Sequence, residues 1–278
     1  PPVRFALPAR GVRVWEGDGS EPSPEDSRRA VPVAADGFAL TLSAPAVQRL
    51  VFNAQGQARL NVTQPLEGLR VAVRAHPQQS AVTLDGKPVM AGEACSVLRP
   101  GLDTLYRQSA TFRLEAGEHR FVITAGGSDT NYFLPVAFLA GPFAGVDGKL
   151  AALPEKVMPG PLCRQGLGGF CGSVTYRARV TVPRREDGGL LGLDTGGLYA
   201  SVTLGEQDLG SRAWAPFEWE VPAELNGKTA ELTITLRTSV APLFGDWRHP
   251  DAAWSKKFWL PPPDPSSPVG LLAMPEWR

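Results

Sequence analysis

The sequence has 278 residues, which is long enough for one large β domain or for two domains of about 100 to 150 residues each. Its 28 Lys and Arg residues balance 28 Asp and Glu residues, so no basic surface predicts binding to nucleic acid or an anionic membrane, and no apolar run approaches the roughly 20 residues of a membrane span. Glycine (30) and proline (27) are abundant while 43% of the residues are hydrophobic, which is typical of many short strands joined by tight turns.

Residues 1–37 are predicted to be an N-terminal linker or edge segment. The stretch GDGSEPSPEDSRRA is polar and rich in turn-forming residues, and it is interpreted as a surface loop or a linker. The preceding stretches VRFALP and GVRVW could each add an edge strand.

Residues 38–145 are predicted to form a first antiparallel β-sandwich. Apolar and polar residues alternate through this block, as in Phe38, Leu40 and Leu42, and this period of two is typical of strands that are buried on one face. Asp85 and Gly86 form the DG pair of a two-residue hairpin. The same alternation places His119 on an inward face, where a hydrogen-bonded structural histidine is expected rather than a catalytic base.

Residues 146–162 are predicted to be a linker, because the surrounding stretch is rich in proline and glycine. Just beyond it, GLGGFCG lacks the GK[ST] ending of a phosphate-binding loop, so a flexible connection to the next strand is expected. Cys95, Cys163 and Cys171 lack metal-ligand spacing. Cys163 and Cys171 either close a small disulfide loop or are ordinary thiols.

Residues 163–278 are predicted to form a second sandwich, since the same strand and turn pattern recurs there. The stretch ASVTLGEQDLG matches SAVTLDGKPV of the first block, which indicates two β-sandwich domains of similar design in tandem. In SRAWAPFEWEVP, alternation places Trp219 in the core and leaves Glu218 and Glu220 on a solvated face. Trp214 precedes the strand and is a candidate for contact with a ligand or a neighbouring domain.

The tail from Leu243 to Pro265 has neither a strand nor a helix rhythm, which predicts a long irregular loop. Aromatic faces stack on sugar rings, while acids and arginine bind hydroxyls, so this loop is a candidate glycan site. Tryptophan and arginine also dominate protein interfaces, and docking on a catalytic domain or packing within the chain is favoured over direct sugar binding. The candidate residues are Asp246, Trp247, Arg248, His249 and Trp254.

Several motifs occur together in the order found in sugar-binding modules of glycoside hydrolases. They are YRARVTVP, LDTGGLY, VTLGEQDLG and WAPF. In this order they resemble the galactose-binding-like jelly-roll modules of family-2-type and α-L-rhamnosidase-like enzymes, although GEQD stands where the hairpin of those modules has an Asn-Gly turn.

The resemblance implies an all-β chain of two tandem jelly-roll sandwiches that is a non-catalytic C-terminal region of a larger glycoside hydrolase. Its partner would be a glycan or a catalytic domain of the same polypeptide, and its location would be extracellular or periplasmic. By analogy with such modules, a structural Ca²⁺ is expected near Asp194 or Asp129. No other cofactor is expected, and no catalytic constellation stands out in the sequence. The alternative is a stand-alone carbohydrate-binding or adhesion protein.

Overall fold

The computed structural model describes residues 30–75, 81–98, 103–124, 136–146, 148–185, 189–238 and 268–278. These residues are nearly all in strands, turns and loops, which confirms the all-β prediction. Two short 3-10 helices occur among these residues, at Asp103–Leu105 and Ala223–Leu225. No helix in this part of the chain has the length and apolar character needed to cross a membrane.

The strands follow one another in this order: β1 Val31–Pro32, β2 Phe38–Leu42, β3 Ala46–Arg49, β4 Gln57–Val62, β5 Leu66–Arg74, β6 Ala81–Leu84, β7 Lys87–Val89, β8 Ala91–Ala94, β9 Tyr106–Ser109, β10 Phe112–Leu114, β11 Gly117–Thr124, β12 Ala137–Gly141, β13 Phe143–Val146, β14 Lys149–Ala152, β15 Lys156–Val157, β16 Ser173–Thr181, β17 Gly189–Gly192, β18 Tyr199–Leu204, β19 Gln207–Arg212, β20 Glu218–Val221, β21 Thr229–Arg237 and β22 Glu276–Trp277.

Two sheets form what we call the N-terminal sandwich. One has the order β3-β12-β5-β9-β8, with β10 also pairing with β5, and the other has the order β13-β14-β4-β11-β6-β7. All their pairings are antiparallel except the parallel pair of β14 and β4. Both sheets contribute buried apolar side chains to one hydrophobic cluster, including Leu60, Val71, Phe121 and Leu139. Alternation therefore placed the core faces of these strands correctly.

Two further sheets form what we call the C-terminal sandwich. The six-stranded sheet has the order β15-β2-β16-β21-β18-β19, and the four-stranded sheet has the order β1-β22-β17-β20. Tyr176 and Ile234 from the first sheet and Leu191 and Trp219 from the second are buried in the same hydrophobic cluster. β19 and β20 are edge strands of the two sheets, so the loop that joins them crosses one open side of this sandwich.

The sheets do not follow chain order. Residues 38–42, placed by the sequence analysis in the first sandwich, form β2 and pair with β16 in the C-terminal sandwich. Residues 149–152 lie inside the expected linker, yet they form β14 and pair with β13 and β4 of the N-terminal sandwich. Alternation identifies the buried face of a strand but not its partner, which explains both differences.

The glycine-rich segment 166–172 is packed rather than flexible, so that part of the sequence interpretation is wrong. Phe170 is buried, and the Thr238 hydroxyl holds the segment by accepting a hydrogen bond from the Gly172 amide at 2.8 Å. Gly169 approaches β3 so closely that an added Cβ would lie 2.5 Å from the Val47 carbonyl oxygen. The glycines allow the segment to lie directly against the N-terminal sandwich.

Candidate functional site

The clearest candidate surface is the loop of residues 213–217, which we call the rim loop. It leaves β19 at the edge of one sheet and enters β20 at the edge of the other. Trp214 lies on this loop with 78% of its surface exposed. It is the one aromatic side chain that is mostly exposed in the described part of the chain. Its indole faces are therefore accessible to a ligand or a protein partner.

Trp219 lies at the base of the rim loop and connects the edge strands β19 and β20. It is fully buried, which confirms the prediction of a core residue. Its indole Nε1 donates a hydrogen bond to the Gly210 carbonyl of β19 at 3.1 Å, and the Arg212 guanidinium lies 5.7 Å from its ring. These contacts connect the four-stranded sheet to the edge of the six-stranded sheet, so the base of the rim loop is held in place.

Glu218 and Glu220 lie on the outer side of β20, as the alternation predicted. The Glu218 carboxylate forms an ion pair with Arg278 at 2.6 Å, and Glu220 is exposed. They project from the same strand rather than from opposite walls of a cleft. This arrangement differs from the two facing carboxylates with which glycosidases cleave a glycosidic bond.

Most of the sequence-predicted site residues lie outside the described part of the chain. They are Asp129, Asp246, Trp247, Arg248, His249 and Trp254. Their roles stay predictions, and of the eight candidates only Trp214 and Asp194 have a structural setting.

Asp194 lies in a turn that is held against the C-terminal segment. Its carboxylate oxygen Oδ1 accepts a hydrogen bond from the Gly196 amide at 3.1 Å, and its carbonyl accepts one from Leu272 at 2.8 Å. Gly196 has a φ of 61°, and an added Cβ there would clash with the Pro268 carbonyl oxygen. No group of three or more His, Cys, Asp or Glu residues suited to a metal ion occurs among the described residues. The calcium site stays a prediction.

Cys163 is exposed and Cys171 is buried, and no disulfide joins these two described residues. Cys171 belongs to a small apolar cluster that also includes Tyr106 and Phe138. In the structure, its thiol therefore has the role of a small apolar core group.

His119 has a structural setting of its own at the β6-β7 hairpin. Its ring atom Nδ1 lies 2.7 Å from the Asp85 carboxylate, and Nε2 lies 2.8 Å from the Glu115 carbonyl oxygen. Both partners are acceptors, so the doubly protonated imidazolium satisfies both contacts. Partial burial by itself would lower the pKa of His119, but the hydrogen bonds and charges of Asp85 and Glu115 outweigh it and raise the pKa.

Stability is expected to fall as the pH rises through the His119 titration. Because the folded-state pKa lies above the ordinary value of 6.5, the stabilisation is fully present below 6.5 and is lost as the pH passes the higher folded value. Urea unfolding at a series of pH values from below 6.5 up through the higher folded-state pKa measures this change, with His119→Gln as the control that removes the titrating group. Identical pH dependence in the wild type and the variant would contradict the assignment.

Sequence reasoning missed a second group of polar residues, on the outer face of the six-stranded sheet of the C-terminal sandwich. There the Arg237 guanidinium lies 5.0 Å from the centre of the Tyr199 ring, and hydroxyl side chains from several strands pair in register around them. The signal in the sequence was the alternating Ser and Thr in β16, β18 and β21. The sequence does not reveal that these residues are neighbours, because strand order and register bring them together.

Comparisons with known proteins give a weak and partial resemblance to glycoside hydrolases. The rhamnosidase from Novosphingobium sp. PP1Y is 15% identical, with a TM-score of 0.34, over 87% of this chain and 24% of its own. A GH2 β-galacturonidase from Eisenbergiella tayi bound to glycerol is 11% identical, with a TM-score of 0.15, over 75% of this chain and 38% of its own. The chain thus spans about a quarter of the first structure. No family model matches the sequence. No curated protein matches it either.

Proposed function

We propose that this chain is a non-catalytic β-sandwich region of a larger carbohydrate-active enzyme, and that it binds glycan at the rim loop. The observation that carries the proposal is Trp214, which is 78% exposed on a loop with a fixed base. Covering the apolar face of a large indole removes it from water and lowers the free energy. The apolar face of a pyranose ring offers a complementary flat surface for this contact.

The polar groups beside Trp214 suit the same ligand. Ser211 and Arg212 are exposed at the end of β19, just before the rim loop. Such donors and acceptors can bind sugar hydroxyls while the indole stacks on the ring. The proposed partners are therefore a glycan at this rim and a catalytic domain of the same polypeptide.

Replacing Trp214 with alanine is expected to weaken glycan binding by at least tenfold, because the stacking surface is lost. Isothermal titration of the full chain with rhamnose- and galactose-containing oligosaccharides measures the effect. Trp214→Phe, which keeps a smaller aromatic face, is the matched control and should retain part of the affinity.

Equal affinity in the wild type and in Trp214→Ala would move the glycan site away from the rim loop. Absence of binding to any of these oligosaccharides would contradict glycan binding at the rim loop.

A further inference from the structure

The outer face of the six-stranded sheet of the C-terminal sandwich carries a row of hydroxyl side chains in register. Successive pairings join one residue from each of β2, β16, β21, β18 and β19. The row consists of Thr41, Thr175, Thr235, Ser201 and Ser211. Each of these five residues is at least partly exposed. The row ends at the edge strand from which the rim loop departs.

Hydrogen bonds hold several members of this row in place. The hydroxyl oxygens of Thr175 and Thr235 lie 3.0 Å apart, and the Arg177 guanidinium donates to the Thr41 hydroxyl at 2.9 Å. Neighbouring strands are about 4.8 Å apart, so the row is about 19 Å long. The strand spacing of about 4.8 Å is close to the length of one pyranose unit in an extended glycan. The row therefore offers a hydrogen-bonding group at nearly every sugar of a chain laid across the strands.

Threonine is also a good strand former, so the row by itself indicates no ligand. A second observation points to a ligand, because two arginine side chains lie beside the row. Arg237 pairs with Tyr199 on one side of the row, and Arg177 pairs with Thr233 on the other side. No carboxylate forms an ion pair with Arg177 or Arg237 among the described residues.

Asp208 and Glu231 are acidic residues of this face, and neither forms an ion pair with Arg177 or Arg237. Asp208 lies on the edge strand β19, where its carboxylate accepts a hydrogen bond from the Gly210 amide at 2.8 Å. Glu231 pairs in register with Arg179, one row farther along the sheet than Arg177. Among the described residues, two arginines without an ion-paired carboxylate therefore lie beside the hydroxyl row, although the net charge of the chain is zero.

We propose that this face binds an extended acidic glycan whose uronate carboxylates pair with Arg177 and Arg237. The inference rests on the proposed carbohydrate-binding function and adds to it a second surface and a ligand class. A guanidinium forms paired hydrogen bonds with a carboxylate, and stacking on Tyr199 holds the Arg237 side chain in position to do so. The hydroxyl row binds the sugar hydroxyls between the two charges.

The test is isothermal titration of the full chain with hexagalacturonate and with its methyl ester, which has the same sugar skeleton without the charges. The acid is expected to bind at least tenfold more tightly than the ester, and added salt should weaken only the acid. Arg177→Gln and Arg237→Gln should each reduce the affinity for the acid by about tenfold. Arg179→Gln is the matched control, since it removes a charge from the same strand and face beside Glu231, and it should change little.

Equal affinity for the acid and the ester would overturn the inference, and so would an equal loss of affinity in Arg179→Gln and Arg237→Gln. Thr235→Val keeps the shape of the side chain at the centre of the row, and a several-fold loss of affinity would support direct contact with the sugar. If neutral oligosaccharides bind through Trp214 while hexagalacturonate does not bind, this inference fails and the proposed function stands. In the opposite case, hexagalacturonate binds through Arg177 and Arg237 while Trp214→Ala leaves the affinity for neutral oligosaccharides unchanged. The rim-loop site then fails and the site on the sheet face stands.

Discussion

Replacing Trp219 with alanine is expected to lower the free energy of unfolding by about 3–5 kcal/mol. The side chain is fully buried, and its Nε1 donates to the Gly210 carbonyl across the two edge strands. The substitution therefore removes a large apolar contact, leaves a cavity and deprives a carbonyl of its donor. Chemical denaturation followed by far-UV circular dichroism measures the change.

Trp214 provides the control for this prediction, since it lies five residues away in the same stretch and is mostly exposed. Trp214→Ala should change the free energy of unfolding by no more than about 0.5 kcal/mol. Similar losses in both variants would mean that Trp214 packs against another part of the chain, and the rim loop would no longer be an accessible surface.

Replacing Phe38 with alanine is also expected to lower the free energy of unfolding by about 3–5 kcal/mol. Phe38 is fully buried, and its ring meets Tyr176 of β16 edge to face with centroids 6.2 Å apart. The measurement is again the free energy of unfolding of the full chain. The matched control is Ala39→Ser on the exposed face of the same strand, which should have little effect.

The same contact predicts that residues 163–278 do not fold by themselves. Such a fragment lacks β1, β2 and β15, so the core around Tyr176 is open where Phe38 belongs. A cooperative unfolding transition in this fragment would contradict the strand order described above. A small effect of Phe38→Ala in the full chain would contradict it equally.

Much of the local structure was predictable from the sequence. Alternation placed Trp219 in the core and Glu220 on the surface, because side-chain direction in a strand depends only on position along the strand. The DG pair predicted the hairpin between β6 and β7, and Asp85 and Gly86 both have positive φ there, at 50° and 80°. Turn chemistry and side-chain period are local properties, so the sequence alone reveals them.

Pairing over long distances was not predictable. β2 and β16 are more than 100 residues apart in sequence, and nothing in FALTL favours β16 over a strand of the N-terminal sandwich. The glycine-rich segment 166–172 was interpreted as flexible because glycine permits many backbone conformations. In the fold, that absence of side chains has a different use, since it allows the backbone to approach β3 closely.

The candidate sites divide along the same line. Trp214 was identified from the sequence because a tryptophan just before a strand falls outside the buried alternation. The hydroxyl row was missed because Thr41, Thr175 and Thr235 become neighbours only through strand order and register. A surface assembled from three distant strands leaves no motif in the sequence.

We propose that this chain binds carbohydrate without cleaving it. Proton NMR of a rhamnose- or galactose-containing oligosaccharide, recorded with and without the full chain, tests both parts in one sample. We expect broadened sugar signals that sharpen again with Trp214→Ala, and no new reducing-end signals over time. Unbroadened signals for every oligosaccharide, or reducing-end signals that grow with time, would contradict it.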